Sequence, residues 1–125
     1  MQVADTSFLY ALFSKSDAFH SKARRAAAAA DSIVVPSEIY SETVSLIRYR
    51  IGFAAAKSAG VWMRTQKRLQ VAPSSRSLLD GSWGIFRAAR GRLSYPDAVV
   101  LAWCRERRAT PLAFDRAILR RVKRS

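Results

Sequence analysis

The hydrophobic positions of this chain change period several times, and each change marks an element. Val3 and Ala4 lead into Asp5-Thr6-Ser7, after which Phe8, Leu9, Ala11, Leu12 and Phe13 fall at helical spacing, so the opening reads as strand, turn and helix. Asp17 is a natural cap for a second helix running through Ala30, whose alanine run combines high helix propensity with little bulk. Ile33-Val34-Val35 is a β-branched run stopped by Pro36, and Ser37 opens a helix with Ile39, Leu46, Ile47 and Ile51 on one face. From Gly52 the pattern stays helical to about Leu69, with Gly60 as a candidate kink.

Leu69-Gln70-Val71-Ala72 alternates and stops at Pro73, a third short strand. Ser74-Ser75-Arg76-Ser77 starts another helical stretch with Leu78, Leu79, Trp83, Ile85, Phe86 and Ala89, interrupted by Gly81 and Gly84. Ser94-Tyr95-Pro96-Asp97 has the signature of a helix start, with Ser94 as N-cap and Asp97 at the capping-box position; Val99 through Cys104 supply the buried side. Pro111-Leu112-Ala113-Phe114 gives a last strand, and Asp115 begins a basic terminal helix ending in Lys123-Arg124-Ser125. Strands alternating with helices predict an α/β three-layer sandwich, a short, mostly parallel sheet of four or five strands between helices.

Composition sets the scale. The 125 residues are half hydrophobic and a quarter charged, which suits one domain over 1–125 burying about 65% of its unfolded surface and excludes a disordered tail. Charge changes the picture more, since 22 Lys and Arg against 9 Asp and Glu leave a net +13. A field of that sign draws polyanions, nucleic acid first. The single cysteine, Cys104, cannot form an intrachain disulfide and suits a reducing compartment. No stretch approaches the ~18 apolar residues of a membrane span, and Asp5 stands where a signal peptide needs basic and then apolar residues. The expected location is the cytoplasm, with no membrane association.

Most catalytic chemistries find no residues here. There is one histidine, His20, expected to be solvated, and there is no paired-cysteine zinc spacing, phosphate loop or glycine-rich dinucleotide turn. The tryptophans Trp62, Trp83 and Trp103 fall among other apolar residues and are expected in the core. Among the nine acids, Asp17 and Asp31 read as caps or turn residues, and Glu38, Asp80 and Glu106 as solvent-facing. Asp5 and Asp115 each follow a predicted strand and precede a helix, at the sheet edge where open α/β folds bind ligands. Helix capping accounts equally for each of them and for Asp97. Glu42 lies three residues after Ile39 and four before Leu46, on the edge of an apolar helix face, so its carboxylate needs a partner. Either a buried arginine pairs with it or several acids converge on a cation. Helix N-termini beside Asp5, Asp97 and Asp115 are expected to favour their ionised, metal-ready form.

Val3-Ala4-Asp5-Thr6-Ser7-Phe8-Leu9, Val35-Pro36-Ser37-Glu38-Ile39-Tyr40-Ser41-Glu42, Ser94 through Ala102 and Leu112-Ala113-Phe114-Asp115 together resemble the PIN-domain ribonucleases, and at this size the VapC-type toxins of bacterial toxin–antitoxin pairs. The resemblance spans nearly the whole chain. It implies an endoribonuclease dependent on Mg²⁺ or Mn²⁺, held inactive by a cognate antitoxin and commonly homodimeric. Asp5, Glu42, Asp97 and Asp115 would be its catalytic acids, with Asp5, Asp97 and Asp115 holding the metal. Two departures are Ala113, where the family often has Thr or Ser, and an end too early for a final edge strand. The basic residues Arg24, Arg25, Arg48, Arg50, Lys67, Arg68, Arg87, Arg90 and Arg92 are candidates for the RNA backbone, none singled out. The competing readings are a non-catalytic basic nucleic-acid-binding module and an inactive PIN-like scaffold that binds only a partner protein.

Overall fold

The fold was obtained as a computed structural model, which describes residues 1–124, with side chains through Val122. Ser125, the end of the expected terminal helix, lies outside the described residues. In chain order the elements are β1 (Gln2–Ala4), α1 (Thr6–Phe13), α2 (His20–Ala29), β2 (Ile33–Pro36), α3 (Ser37–Arg50), α4 (Phe53–Thr65), β3 (Leu69–Ala72), α5 (Arg76–Ala89), α6 (Tyr95–Arg107), β4 (Thr110–Leu112) and α7 (Arg116–Arg124). The four strands form one sheet of order β3-β2-β1-β4, every pair parallel, with Val3 opposite both Val34 and Pro111 and Val35 opposite Val71. Four short strands suffice because buried parallel strands are apolar on both faces, and Ile33 through Pro36 are buried without interruption.

Helices flank this sheet. α6 packs on β1, β2 and β4, and α3 on β2 and β3. Residues Ala98 through Cys104 of α6 are all buried, so the helix is apolar all round for two turns and serves as an inner element of the core. The core joins Phe8 and Leu9, the β2 valines, Ile39, Met63, Leu78, Trp103 and Ile118. Burial pushes the Cys104 thiol up to about 12.

Several sequence expectations need correction. The second helix begins at His20, because Asp17 caps an earlier turn: its Oδ1 accepts from the Phe19 backbone N–H at 2.9 Å. Gly60 is no kink; it lies inside α4, buried, where a Cβ would stand 3.3 Å from Tyr40 Oη, so the glycine lets α3 and α4 approach. The break falls at Gly52, whose φ of 144° lies where L side chains rarely go. Ile51 at this corner is exposed, as are Tyr49 and Phe53. The last strand is Thr110–Leu112, one residue earlier at its start and two shorter at its end. His20 is half-buried with Nδ1 2.8 Å from the Ala11 carbonyl, and Trp83 is 54% exposed, whereas Trp103 is buried. Glu38 is not a solvent-facing acid. It accepts from Ser74 Oγ at 2.8 and 3.0 Å, and the same hydroxyl receives the Trp103 indole N–H at 3.1 Å, which ties α3 to α6.

Candidate active site

The sheet order sets the place for chemistry. From β1 the chain moves to β2 on one side, and it later returns from β3 to β4 on the other, so the switch point lies between β1 and β4. Asp5 directly follows β1, and Asp115 follows β4 by three residues. The Asp5 backbone N–H donates to the Leu112 carbonyl at 2.9 Å, which closes the two strand ends together. Asp97 arrives from a third direction, in the first turn of α6, which packs on both strands.

Capping and clustering turn out to be compatible. Asp5 is the N-cap of α1, accepting from Ser7 N at 3.3 Å, and Asp115 Oδ1 accepts from Ala117 N at 2.8 Å at the start of α7. Ser94 caps α6 by accepting from Asp97 N at 3.2 Å. These caps nonetheless leave the carboxylates in one another's field. Burial raises the Asp97 carboxyl first, the charges of Asp115 and Asp5 add to it, and the result is pushed up to about 6. Asp5 is also raised, by burial chiefly and by Asp115 last, against hydrogen bonds from Ser7 and Thr6 that lower it. For Asp5 and Asp97 the expectation that helix N-termini favour the ionised form is therefore corrected: desolvation, joined by the charges of neighbouring acids, outweighs the helix ends.

Glu42 joins through a hydroxyl. It is half-buried on α3, and Thr6 Oγ1 donates to its Oε1; the partner is neither an arginine nor another acid. Thr6 and Ser7 escaped the sequence reading, which took them as turn residues. Ser7 Oγ donates to Asp5 Oδ2 at 2.8 Å and accepts from the Phe114 backbone N–H at 3.1 Å, beside Asp115. The detectable signal was two hydroxyl residues directly after a strand-ending aspartate.

Among the described residues no three His, Cys, Asp or Glu side chains form a ready-made metal cage. The donor chemistry still suits a hard divalent cation. Three carboxylates repel one another with no salt bridge to a lysine or arginine among the described residues, where the ion pair present is Arg76 with Asp80. Magnesium commonly takes only one or two carboxylates and completes its shell with water and substrate phosphate. A cavity of about 430 Å³ adjoins Asp115 and includes Thr6 and Ser7. A larger cleft of about 1070 Å³, lined by Arg24, Ile33, Trp62, Lys67 and Leu69, contains none of the four acids.

The model of the PIN domain matches residues 3–125. The chain belongs to the PIN domain family. A crystal structure of VapC20 from Mycobacterium tuberculosis, a toxin that cleaves the sarcin–ricin loop, has a TM-score of 0.86 to this chain at 26% identity, covering 97% of this chain and 95% of that one. A toxin–antitoxin complex from Klebsiella pneumoniae aligns with a TM-score of 0.67 at 17% identity, over 92% of this chain and 87% of that one, a likeness of fold alone. Comparison with curated proteins gives no match. The three-layer α/β sandwich expected from the alternating elements, and the PIN fold implied by the resemblance, are thus what the chain adopts. None of its described helices is long and apolar enough to cross a membrane.

Proposed function

We propose that this PIN domain is a divalent-metal-dependent endoribonuclease and the toxin of a bacterial toxin–antitoxin pair, acting in the cytoplasm as a homodimer restrained by its antitoxin. What supports the nuclease reading is that Asp5, Asp97 and Asp115, from three separate segments, lie in one another's electrostatic field near the switch point of a net-positive protein. The toxin reading is supported by likeness to VapC20.

Asp5, Asp97 and Asp115 would hold Mg²⁺ or Mn²⁺. When bound, such a cation screens the phosphodiester oxygens and lowers the pKa of a coordinated water toward ~7. Ser7 orients Asp5 by donating to its Oδ2 and fixes the Asp115 segment through the Phe114 N–H. Thr6 holds one oxygen of Glu42, which leaves Oε2 to accept a proton from an attacking water. The surrounding lysines and arginines hold the RNA backbone.

Purified protein, free of any partner, should cut RNA in Mg²⁺ or Mn²⁺ and stop in EDTA. Asp5→Asn, which keeps the side chain's shape and removes its charge, should abolish cleavage. Cleavage surviving EDTA would reject metal dependence, and a folded protein that binds RNA but never cuts it would leave the basic binding module standing. Expression alone should arrest growth, with relief from a coexpressed small partner protein. Equal growth of cells expressing wild type and Asp5→Asn would count against toxicity by cleavage.

A further inference from the structure

We infer that the cavity beside Asp115 is a subsite for one unpaired nucleotide of the substrate, its base stacked on Phe19 and its phosphate held by Arg50. This inference rests on the nuclease reading and adds to it how a strand is gripped. At about 430 Å³ the cavity is at the small end of the ~300–1,000 Å³ usual for ligand sites, room for a nucleotide and not for a duplex. It opens next to one of the proposed metal-holding acids, where the nucleotide flanking a scissile phosphate must lie.

Its walls are rings. Tyr10, Phe19 and Phe114 all line it. Phe19 lies on Phe114 with centroids 4.7 Å apart and planes 16° from parallel, yet remains 47% exposed. One face of Phe19 is therefore committed to the protein and the other is open. Asp17 pins the ring's segment, accepting from the Phe19 N–H through Oδ1. An exposed aromatic held rigid in this way is costly to keep in water and well suited to a base, since every base offers a π-face. Arg50 supplies the charge. Its guanidinium sits 5.1 Å over the Tyr10 ring, and no hydrogen bond or ion pair among the described residues engages its N–H donors, which leaves them for a phosphate. An apolar peptide side chain would cover the rings and leave Arg50 without an anion, whereas paired bases are already stacked and cannot enter.

The test uses the Asp5→Asn protein, so that RNA stays intact, and measures binding by fluorescence anisotropy. The probes are octaribonucleotides of A, C and U and an octamer of abasic ribose phosphate. Phe19→Ala should weaken the tightest octaribonucleotide about tenfold or more and leave the abasic octamer unchanged, with Phe19→Trp restoring affinity. Arg50→Gln should weaken both probes and flatten their salt dependence. Thermal melting checks each variant's fold. For Phe19→Ala, equal losses on both probes, or no loss on either, would overturn the subsite. So would a Phe19→Ala protein that keeps its RNA affinity and loses only its protein partner, which would make the cavity a peptide pocket. If the octaribonucleotides bind through Phe19 but wild type never cuts RNA, the nuclease reading fails and the subsite stands. If wild type cuts and Phe19→Ala in that background cuts with unchanged KM, the subsite alone fails.

Discussion

Asp97 is held by a helix start but destabilised as an anion by burial and by its acidic neighbours, and the balance has a pH signature. Its carboxyl moves from an ordinary value of 3.8 to about 6 on folding, so between those values the folded protein binds more protons than the unfolded chain. Without metal, stability is greatest below pH 4 as far as this group is concerned and is lost as pH rises toward 6. Melting of the metal-free protein across that range should show the fall, and Asp97→Asn should remove it while leaving the protein more stable at pH 7. A profile unchanged by the substitution would mean that burial and the neighbouring acids do not raise this carboxyl in solution. The same variant should keep the helix start, since Ser94 supplies the N-cap and the Asn side-chain oxygen can still accept from the Ser94 N–H. RNA affinity should hold or rise while cleavage falls by orders of magnitude, with a binding titration run beside a cleavage assay. Glu42 shows the limit of sequence reading at this scale. Its half-apolar setting was legible from Ile39 and Leu46, but its partner, Thr6, lies 36 residues earlier and meets it only through the packing of α1 on α3.

The elements were legible wherever one local cause fixes them. Ile33-Val34-Val35 forms a strand because β-branched side chains suit a buried sheet, and Ser94 starts α6 because its hydroxyl takes an orphan N–H. Gly60 misled because a glycine in a helix has two explanations, a bend or a close neighbour, and the neighbour, Tyr40, comes from another helix. Two other glycines should respond to alanine with opposite sign. Gly52→Ala forces a side chain into a backbone region close to glycine-only and should cost about 1–3 kcal/mol, whereas Gly84 sits within α5 with nothing within 4 Å of a Cβ, so Gly84→Ala should add about 0.5–1 kcal/mol. Urea unfolding of both variants measures the contrast, and matching signs would show that one of these backbone assignments is wrong.

Across the whole molecule, the proposed function makes the excess of positive charge the means of holding RNA. The logarithm of affinity should fall linearly with that of salt, at about 0.7 per phosphate engaged on a single strand, and a slope near zero would remove the backbone from the binding mechanism. Binding at the acidic edge should also be readable from a residue that touches no ligand. Cys104 is buried on α6 with a thiol that burial keeps protonated, so a thiol-reactive dye meets it only when the packing around that helix opens. Where reclosing outpaces reaction, the labelling rate reports the opening equilibrium. Magnesium, RNA or a protein partner that stabilises the closed form should therefore slow the dye in proportion to occupancy, which makes the chain's lone thiol a gauge of how tightly the molecule is shut.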